Sequence, residues 1–414
     1  MKLEQAIKQF NDSAIQLGGW MELDRLYLTN RILEWVGGYS DEKTVFSEAA
    51  ETPIQLFLLI AVKNKKIADT DWEKNQLQKK FQELLTPPPS VVNALFAQYY
   101  AKKPADATEY FYNLCCQTGY VAPLERSAAP QNFLGAECSE LTETAEERMS
   151  GFFSLFHKKQ PNPSCYHCFE NEGFNGESSV ETAASRLIRM NLQGESWGFH
   201  YSPAAQFPEQ FYISSEEHKP LVWGTAAVQR MLDILDIFPH YFISFDGETR
   251  ESHGYYQGGA ASLPSLAVEA EAFIERKEYP LLNIGVVPGL FPAVQLQGPD
   301  KNELIESILF LTSQWKNFKK GAGSKPVIVG RKRENSYTFN LFFINRTQVP
   351  VIDDYLAVGE NLVPLLSGKV VFRSGKMKSG EIAEQLQQAV DCLSPFEKNH
   401  EVASLIQFLH TLED

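Results

Sequence analysis

The residues best suited to chemistry lie in two short segments, Cys165–Cys168 and His253–Gln257. The second segment reads His-Gly-Tyr-Tyr-Gln and is followed by two glycines, which would let the backbone pass close to a neighbour or a ligand. If this segment is a strand, the period of two places His253, Tyr255 and Gln257 on one face. The alternative interpretation is a buried strand with a hydrogen-bonded histidine and packed tyrosines.

The Cys-x-x-Cys pair, Cys165 and Cys168, can hold one tetrahedral zinc ion as two thiolates. A redox pair and two unused thiols are alternative interpretations of the same spacing. A zinc site needs two further ligands, and His218 and His253 are the candidates. Each histidine, taken alone, is also interpreted as an ordinary surface or core residue, and the hypothesis is a Cys2His2 site whose four ligands converge from separate loops.

Two further segments carry groups that suit a substrate. Gly194–Pro203 combines glycines with Trp197 and Ser202, although a strand that ends in a turn would have a similar composition. Arg331–Arg333 is a basic triplet in an acidic chain. It is interpreted either as a solvated charge cluster or as a site where Arg and Lys recognise phosphate.

The composition bounds the class of protein. The chain has 414 residues, a hydrophobic content of 43% and a net charge of −14, so it can bury a large core in two or three structural units. The acidic balance argues against a nucleic-acid-binding surface. No apolar run reaches the roughly 18 residues of a membrane span, and the six cysteines do not resemble a disulfide framework. We therefore expect a cytoplasmic protein that binds neither nucleic acid nor membrane.

The first part of the chain is interpreted as a scaffold or a dimer support, because its pattern is helical and it carries no catalytic constellation. Apolar residues recur at helical intervals over residues 1–121, which predicts an N-terminal helical unit. Prolines and glutamates then mark residues 122–163 as a connector, with one short helix around residues 145–156.

From residue 164 the pattern changes to strands with interspersed helices, which favours an antiparallel α+β body. The predicted helices cover residues 225–238, 302–315 and 379–393, and Asp300 with Glu303 predicts a capping box for the second. The predicted strands are 196–201, 210–214, 240–245, 281–287, 293–297, 337–345 and 369–373. Each of two strand-rich stretches, 164–270 and 271–414, contains a long helix, so the body is predicted to consist of two related halves.

Several short motifs, taken in order, resemble those of class II galactose-1-phosphate uridylyltransferases, which are relatives of the histidine-triad superfamily. The resemblance is specific because many independent motifs agree in order, and it extends from about residue 20 to residue 350. The motifs are Thr86–Asn93, Ala107–Tyr112, Cys165–Phe174, Gly194–Pro203, Phe238–Phe242 and Tyr256–Gly259.

The resemblance implies a histidine-triad-like fold and a reaction. A UDP-sugar and a hexose-1-phosphate exchange partners, so that UDP-glucose and galactose-1-phosphate give glucose-1-phosphate and UDP-galactose. The family uses double displacement through a uridylyl-histidine, which divides one difficult transfer into two easier ones. The nucleophile is the second histidine of a His-x-His-x-Gln strand, the first histidine faces a metal site, and the glutamine supports the transferred phosphate. A homodimer is a further expectation.

This sequence departs from the family motif at the nucleophile. His253 takes the first position and Gln257 the glutamine position, but Tyr255 stands where the attacking histidine should be. A neutral imidazole is a ready nucleophile at pH 7, whereas a phenol with a pKa near 10 is mostly protonated. The segment between Phe242 and Ser252 is also shorter than the family implies, and no histidine occurs between His253 and residue 400.

The resemblance places uridine and phosphates beside the strand that holds Gln257. We therefore expect a pocket lined by Tyr255, Gln257, Trp197 and Ser202. Either of two arginines, Arg186 or Arg331, is available to a phosphate in this interpretation.

Three functions fit these observations. The first is a hexose-1-phosphate uridylyltransferase of galactose metabolism whose activity is weakened or lost. The second is a catalytically inactive paralogue that binds a nucleotide sugar or a partner protein. The third is a nucleotidyl hydrolase or phosphorylase that attacks the phosphate directly, without a covalent intermediate. Fold alone does not choose among them, because function depends on the site.

Overall fold

The chain forms two compact units. The first comprises Met1–Ala122 and Glu170–Ile188, and the second comprises Pro123–Phe169 and Arg189–Asp414. The computed structural model describes residues 1–37, 50–127, 129–147, 165–174, 184–246, 253–318, 326–345, 362–377, 379–396 and 400–412. None of the helices in these ranges is long and apolar enough to cross a bilayer.

The first unit is helical, as its apolar periodicity predicts. Its core contains an aromatic cluster in which Phe57 and Phe81 both contact Phe10 at ring-centroid distances of 5.7 and 5.8 Å. Thr52 and Thr70 cap two of its helices by accepting backbone N–H groups. The helices are α1 (Leu3–Gln16), α2 (Arg25–Val36), α3 (Pro53–Lys63), α4 (Asp71–Leu85), α5 (Pro89–Tyr100) and α6 (Pro104–Gln117).

The second unit is organised around a ten-stranded sheet with the order β3-β4-β5-β7-β6-β11-β12-β10-β9-β8. The strands are β3 (Ile188–Leu192), β4 (Glu195–Tyr201), β5 (Phe211–Ser215), β6 (Phe242–Asp246), β7 (Tyr255–Gly259), β8 (Glu271–Ile274), β9 (Asn283–Val287), β10 (Ala293–Gly298), β11 (Val327–Arg333) and β12 (Ser336–Phe342). The pairings from β4 to β8 across the sheet are antiparallel. The predicted antiparallel α+β body is therefore confirmed.

The sheet consists of two halves with the same topology. In the first half three strands, helix α7 (Thr225–Ile237) and two strands follow in order, from β3 to β7. The second half repeats this order from β8 to β12, with helix α9 (Lys301–Phe318) between β10 and β11. The halves meet where β6 pairs with β11, with Ser244 opposite Val329. The two related halves expected from the sequence are thus present.

The two faces of the sheet are covered differently. Helices α7 and α9 contact each other and pack on one face. On the other face, apolar side chains of the second half share a core with a three-stranded sheet of order β1-β2-β13 and with nearby short elements. These elements are β1 (Gln131–Phe133), β2 (Ala136–Glu140), β13 (Lys369–Phe372), α8 (Pro264–Ala267), α10 (Val363–Leu366) and α11 (Ser379–Leu393), and α12 (Glu401–His410) lies against β8 and β9.

Some elements differ from the sequence prediction. Residues 369–373 were expected in the main body, but β13 pairs in parallel with β2 in the small sheet. The predicted connector 122–163 also contributes β1 and β2 to that sheet, because its apolar residues Ala136 and Cys138 are fully buried. Most of the helix predicted at residues 145–156 lies outside the described residues.

Candidate active site and metal centre

The pairing of β5 with β7 explains why distant residues meet at one edge of the sheet. His218 follows the end of β5 and His253 precedes the start of β7, so both lie at the same end of this antiparallel pair. Gly254 donates its N–H to the carbonyl of Lys219, 2.8 Å away. A Cβ atom at Gly254 would lie 2.3 Å from the backbone N of Leu221, so this close approach requires glycine.

Cys165, Cys168, His218 and His253 converge so that their ligand atoms all lie within 4.8 Å of one another. The two Sγ atoms are 3.5 Å apart, and each Sγ lies 3.1–3.7 Å from the Nδ1 atoms of the two histidines. A tetrahedral zinc with Zn–S of about 2.3 Å and Zn–N of about 2.0–2.1 Å implies separations of about 3.8 Å for S–S and 3.5 Å for S–N. The cluster therefore has dimensions that could hold a metal ion.

The surroundings of the cluster favour the protonation states that metal binding requires. His253 is 1% exposed, and its Nε2 lies 2.7 Å from the carbonyl of Ser215. A proton on Nε2 satisfies this contact and leaves the Nδ1 lone pair for a metal, which is the usual outer-shell arrangement for a ligating histidine. The hydrogen bond from the Cys165 thiol, with help from His253 and His218, holds the pKa of Cys168 well below its usual value, so a thiolate is available at neutral pH.

Polar side chains line one face of the first half-sheet. Tyr255 and Gln257 lie on the same face of β7, two residues apart. The register places Ser214 of β5 opposite Tyr255 and Tyr212 opposite Gln257, on the same face. His200 of β4 lies opposite Tyr212 and continues the row. Gln257 and Tyr212 are each 4% exposed and His200 is 3% exposed. We call these residues, with His167, the polar face.

The metal-ligand segment contacts the polar face through His167. The imidazole of His167 stacks on the ring of Tyr255 with a centroid distance of 4.1 Å and an interplanar angle of 25°. Ser214 donates its hydroxyl to the carbonyl of His167, 3.0 Å away. Burial lowers the pKa of His167 well below its usual value and that of His200 to about 4, so both imidazoles are neutral at pH 7. The candidate metal centre is therefore packed directly against Tyr255.

Gln257 is held in a network of amides and hydroxyls. Gln210 donates from Nε2 to the Gln257 side-chain oxygen at 3.4 Å and to the Tyr212 hydroxyl at 3.2 Å. Ser244 donates its hydroxyl to the main-chain carbonyl of Gln257. A Cβ at Gly258 would lie 2.2 Å from the carbonyl oxygen of Phe242. The paired glycines thus allow the close strand packing that the sequence suggested.

The structure does not bring Trp197 to this face. Trp197 and His200 lie an odd number of positions apart along β4, so their side chains point to opposite faces of the sheet. Helix α7 covers the face on which Trp197 lies. There it is 2% exposed, lies beneath the Arg230 guanidinium at 5.2 Å, and contacts Tyr256. Trp197 therefore does not line the expected pocket.

The other predicted substrate residues have local partners. Ser202 is fully buried and its hydroxyl accepts the N–H of Ala204. Arg186 belongs to the first unit, where its guanidinium donates to the carbonyls of Pro87 and Ser185. Arg331 is on the polar side of the main sheet but on β11, beyond β6, and it donates to the carbonyl of Leu266. Their phosphate contacts remain predictions.

Three residues of the polar face were not predicted from the sequence: His167, His200 and Tyr212. His167 lies inside the Cys-x-x-Cys segment, in which the spacing of the two cysteines is the only clear signal. Alternate residues of β4 point to opposite faces of the sheet, and His200 is a polar residue within a largely apolar strand. This pattern could have identified His200. Tyr212 has no such signal, because tyrosine is common in strands.

Comparison with protein-family models gives one match. Residues 20–137 match the model described as galactose-1-phosphate uridyl transferase, N-terminal domain. This range includes α2 to α6 and β1, and it ends at the start of β2, before the metal-ligand segment.

The curated relatives of this chain include proteins named galactose-1-phosphate uridylyltransferase. The protein of Enterococcus faecalis is 30% identical over 336 residues, which cover 75% of this chain and 66% of the relative. The protein of Streptococcus mutans is 30% identical over 325 residues with the same coverages, and that of Lactobacillus helveticus is 29% identical over 80% of this chain and 70% of the relative. The matches to the first two thus span slightly less than two thirds of those proteins. No solved structure gives a significant match.

Proposed function

Because the chain belongs to the galactose-1-phosphate uridylyltransferase family, we propose that it binds a UDP-sugar on the polar face but transfers uridylyl groups slowly or not at all. The single observation that carries this proposal is Tyr255, a phenol between His253 and Gln257 where the family motif has its attacking imidazole. Gln257 remains in the position that supports a transferred phosphate.

The surroundings of Tyr255 favour a binding role for this side chain. Its ring stacks on the His167 imidazole and contacts the edge of the Tyr212 ring at 5.3 Å. A phenol attacks phosphorus efficiently only as the phenolate, which needs a cation or a base in hydrogen-bonding geometry. A stacked imidazole faces the ring and not its hydroxyl, so His167 stabilises the aromatic ring in place without removing its proton.

The neutral imidazoles beside Tyr255 also fit a binding face. His167 and His200 are nearly buried, at 2% and 3% exposed, as Gln257 is at 4%, and neither of them occupies the nucleophile position of the family motif. They supply shape and hydrogen-bonding capacity instead. UDP-sugar and hexose-1-phosphate are therefore proposed as ligands of the site. Uridylyl exchange between them is proposed to be slow or absent.

We further propose that the Cys2His2 cluster binds zinc. Two thiolates and two imidazoles are a donor set that zinc prefers, and the His253–Ser215 contact fixes the ligating tautomer. Four protein ligands complete a tetrahedron, so a bound zinc would be structural and would tie Cys165–Cys168 to the ends of β5 and β7. A cytoplasmic location and a homodimer remain predictions.

Calorimetry with UDP-glucose tests the proposed binding. We expect saturable binding to the purified protein and at least about tenfold weaker binding to Gln257→Ala, because a buried hydrogen-bonding group is lost. His240→Ala is the matched control, because His240 is exposed and lies away from the polar face. No binding at millimolar UDP-glucose would refute the proposed ligand.

A further inference from the structure

Arg331 is a half-buried cation for which no carboxylate partner occurs among the described residues. Its Nη2 atom donates to the carbonyl of Leu266, and its Nε atom is buried without a hydrogen-bond partner in the described part of the chain. Burial lowers the pKa of Arg331 to about 10, and the nearby charge of Arg333 contributes in the same direction. The next residue, Lys332, points to the opposite face and pairs with Asp236. A buried charge without a counter-charge is costly, so this guanidinium favours an anion.

Hydrogen-bond donors surround Arg331 on the same face of the sheet. Thr338 lies directly opposite it on β12, and Gln297 lies opposite Thr338 on β10. Thr338 is 7% exposed, whereas Gln297 is exposed, so the row reaches solvent at Gln297.

The short helix α8 closes the other side of this row. Asn340 donates to the carbonyl of Ser265, and Arg331 donates to the carbonyl of the next residue, Leu266. The hydroxyl of Ser265 is buried without a hydrogen-bond partner in the described part of the chain. Two donors that lack partners, the Arg331 Nε–H and the Ser265 hydroxyl, therefore lie at the same turn.

We propose that Arg331, Thr338, Gln297 and Ser265 form a second binding site, which takes a phosphate group. The planar guanidinium fork matches phosphate oxygens, and hydroxyl and amide groups add neutral donors. This site is separate from the polar face. Strand β6 lies between Arg331 on β11 and Gln257 on β7, so their strands are roughly 10 Å apart at 4.7–4.9 Å per strand. The second site does not depend on uridylyl transfer in the first half.

Orthophosphate and the phosphate monoester of a small metabolite present the same chemistry to these donors. Titration with inorganic phosphate at low salt, followed by calorimetry, tests the site directly. We expect saturable binding to the wild type and at least about tenfold weaker binding to Arg331→Gln, because a charge-assisted contact is lost. Competition by glucose-1-phosphate would identify a monoester site, and its failure would identify an orthophosphate site.

Two control variants separate this site from alternatives. Lys277→Gln removes the same charge from an exposed position of the second half and should bind phosphate as the wild type does, whereas Gln257→Ala shows whether phosphate binds at the polar face. Loss of phosphate binding in Gln257→Ala would assign the phosphate to the first site and overturn the proposal. Equal weakening in Lys277→Gln would show only diffuse charge attraction and would overturn it as well.

A folding defect must be separated from a binding defect. Arg331→Lys retains the charge but loses the fork, and Thr338→Val retains the shape but loses the hydroxyl. Each should weaken phosphate binding by threefold or more while its thermal unfolding without phosphate remains cooperative. If the wild type does not bind inorganic phosphate at millimolar concentrations, or if both folded variants bind it unchanged, the proposal is wrong.

Discussion

At the scale of single residues, the proposal of slow or absent transfer depends on Tyr255, which stands where the family resemblance implies a histidine. The substitution is readable from the sequence, but its consequence depends on the neighbours that the fold supplies. His167 stacks on the Tyr255 ring. The two residues come from distant parts of the chain, since Cys165, in the same segment as His167, is 88 residues before His253. The sequence predicted the position of Tyr255 in the motif and could not predict this contact, because the Cys-x-x-Cys loop reaches the sheet only through tertiary packing.

Restoring the family's residue should rescue little activity. We expect Tyr255→His to raise uridylyl exchange between UDP-glucose and galactose-1-phosphate by less than about tenfold, whereas loss of a nucleophile typically removes several orders of magnitude. The reason is that the segment between Phe242 and Ser252 is short and the later part of the chain lacks histidines until residue 400. A coupled assay of glucose-1-phosphate release measures the exchange. An increase of several orders of magnitude would show that residue 255 alone limits the chemistry.

His200 should make the stability of the second unit pH-dependent. Burial lowers its pKa from 6.5 to about 4, so the unfolded chain binds a proton between these values and the folded chain does not. Stability is therefore fully present above pH 6.5 and decreases as the pH falls towards 4, by roughly 3 kcal/mol at most. Denaturant unfolding at several pH values should show a smaller decrease for His200→Gln than for the wild type. Identical pH profiles would exclude His200 as the cause.

At the scale of secondary structure elements, the metal cluster ties the Cys165–Cys168 loop to the paired ends of β5 and β7. We expect purified wild type to contain about one zinc per chain and His253→Ala to lose it, with a lower melting temperature, because a bound metal contributes to folding free energy. His240→Ala should keep both zinc and melting temperature. Metal analysis and thermal unfolding measure these outcomes. Metal-free wild type that melts like His253→Ala would mean that the cluster is held by packing alone.

The two halves of the sheet are joined by a charged cluster at the end of α7. Asp236 accepts from Lys332 at 2.7 Å and from the Tyr337 hydroxyl at 2.6 Å, and it also pairs with Lys301 at the start of α9. Burial alone would raise the pKa of Asp236, but these donors lower it to about 2. The stabilisation is thus present above pH 3.8 and is lost as the pH falls through 2.

Removing this charge should weaken the junction between the halves. We expect Asp236→Asn to lower the free energy of unfolding by about 1–2 kcal/mol near pH 7, a value reduced for the 34% exposure of its side chain. Glu306→Gln, at an exposed position of α9, is the control and should change stability little. Urea unfolding provides the comparison. Equal stabilities of wild type and Asp236→Asn at pH 7 would exclude this role.

The elements themselves were largely predictable where local signals are strong. Asp300 accepts the N–H of Glu303 as the predicted cap, although the Glu303 carboxylate turns away and accepts the N–H of Leu281. Strand β11 was not predicted, because its charged end, Arg331–Arg333, masks the apolar start of a strand that is buried on both faces. Local patterns thus identify caps and alternating strands, but they do not identify strands whose character changes along their length.

At the scale of the whole molecule, the two halves share topology but not residues. The register makes Asn340 the counterpart of Gln257 and Thr338 the counterpart of Tyr255. No sequence motif links these pairs, which explains why the repeat was expected from strand pattern but could not be shown by residue identity. Among the described residues, the Cys2His2 cluster is found only in the first half. The halves therefore share one framework and differ in the side chains that they present.

Incubation of the purified protein with UDP-glucose labelled in the α-phosphate tests most directly whether this chain forms a covalent intermediate. After denaturation, we expect no stoichiometric label on the protein, although equilibrium dialysis of the native protein shows bound UDP-glucose. This result follows from the proposal that Tyr255, a phenol, stands in the position of the attacking imidazole. Stoichiometric protein-bound uridylate would contradict it: an acid-labile bond would identify a histidine nucleophile, and an acid-stable bond lost in Tyr255→Phe would identify Tyr255 itself.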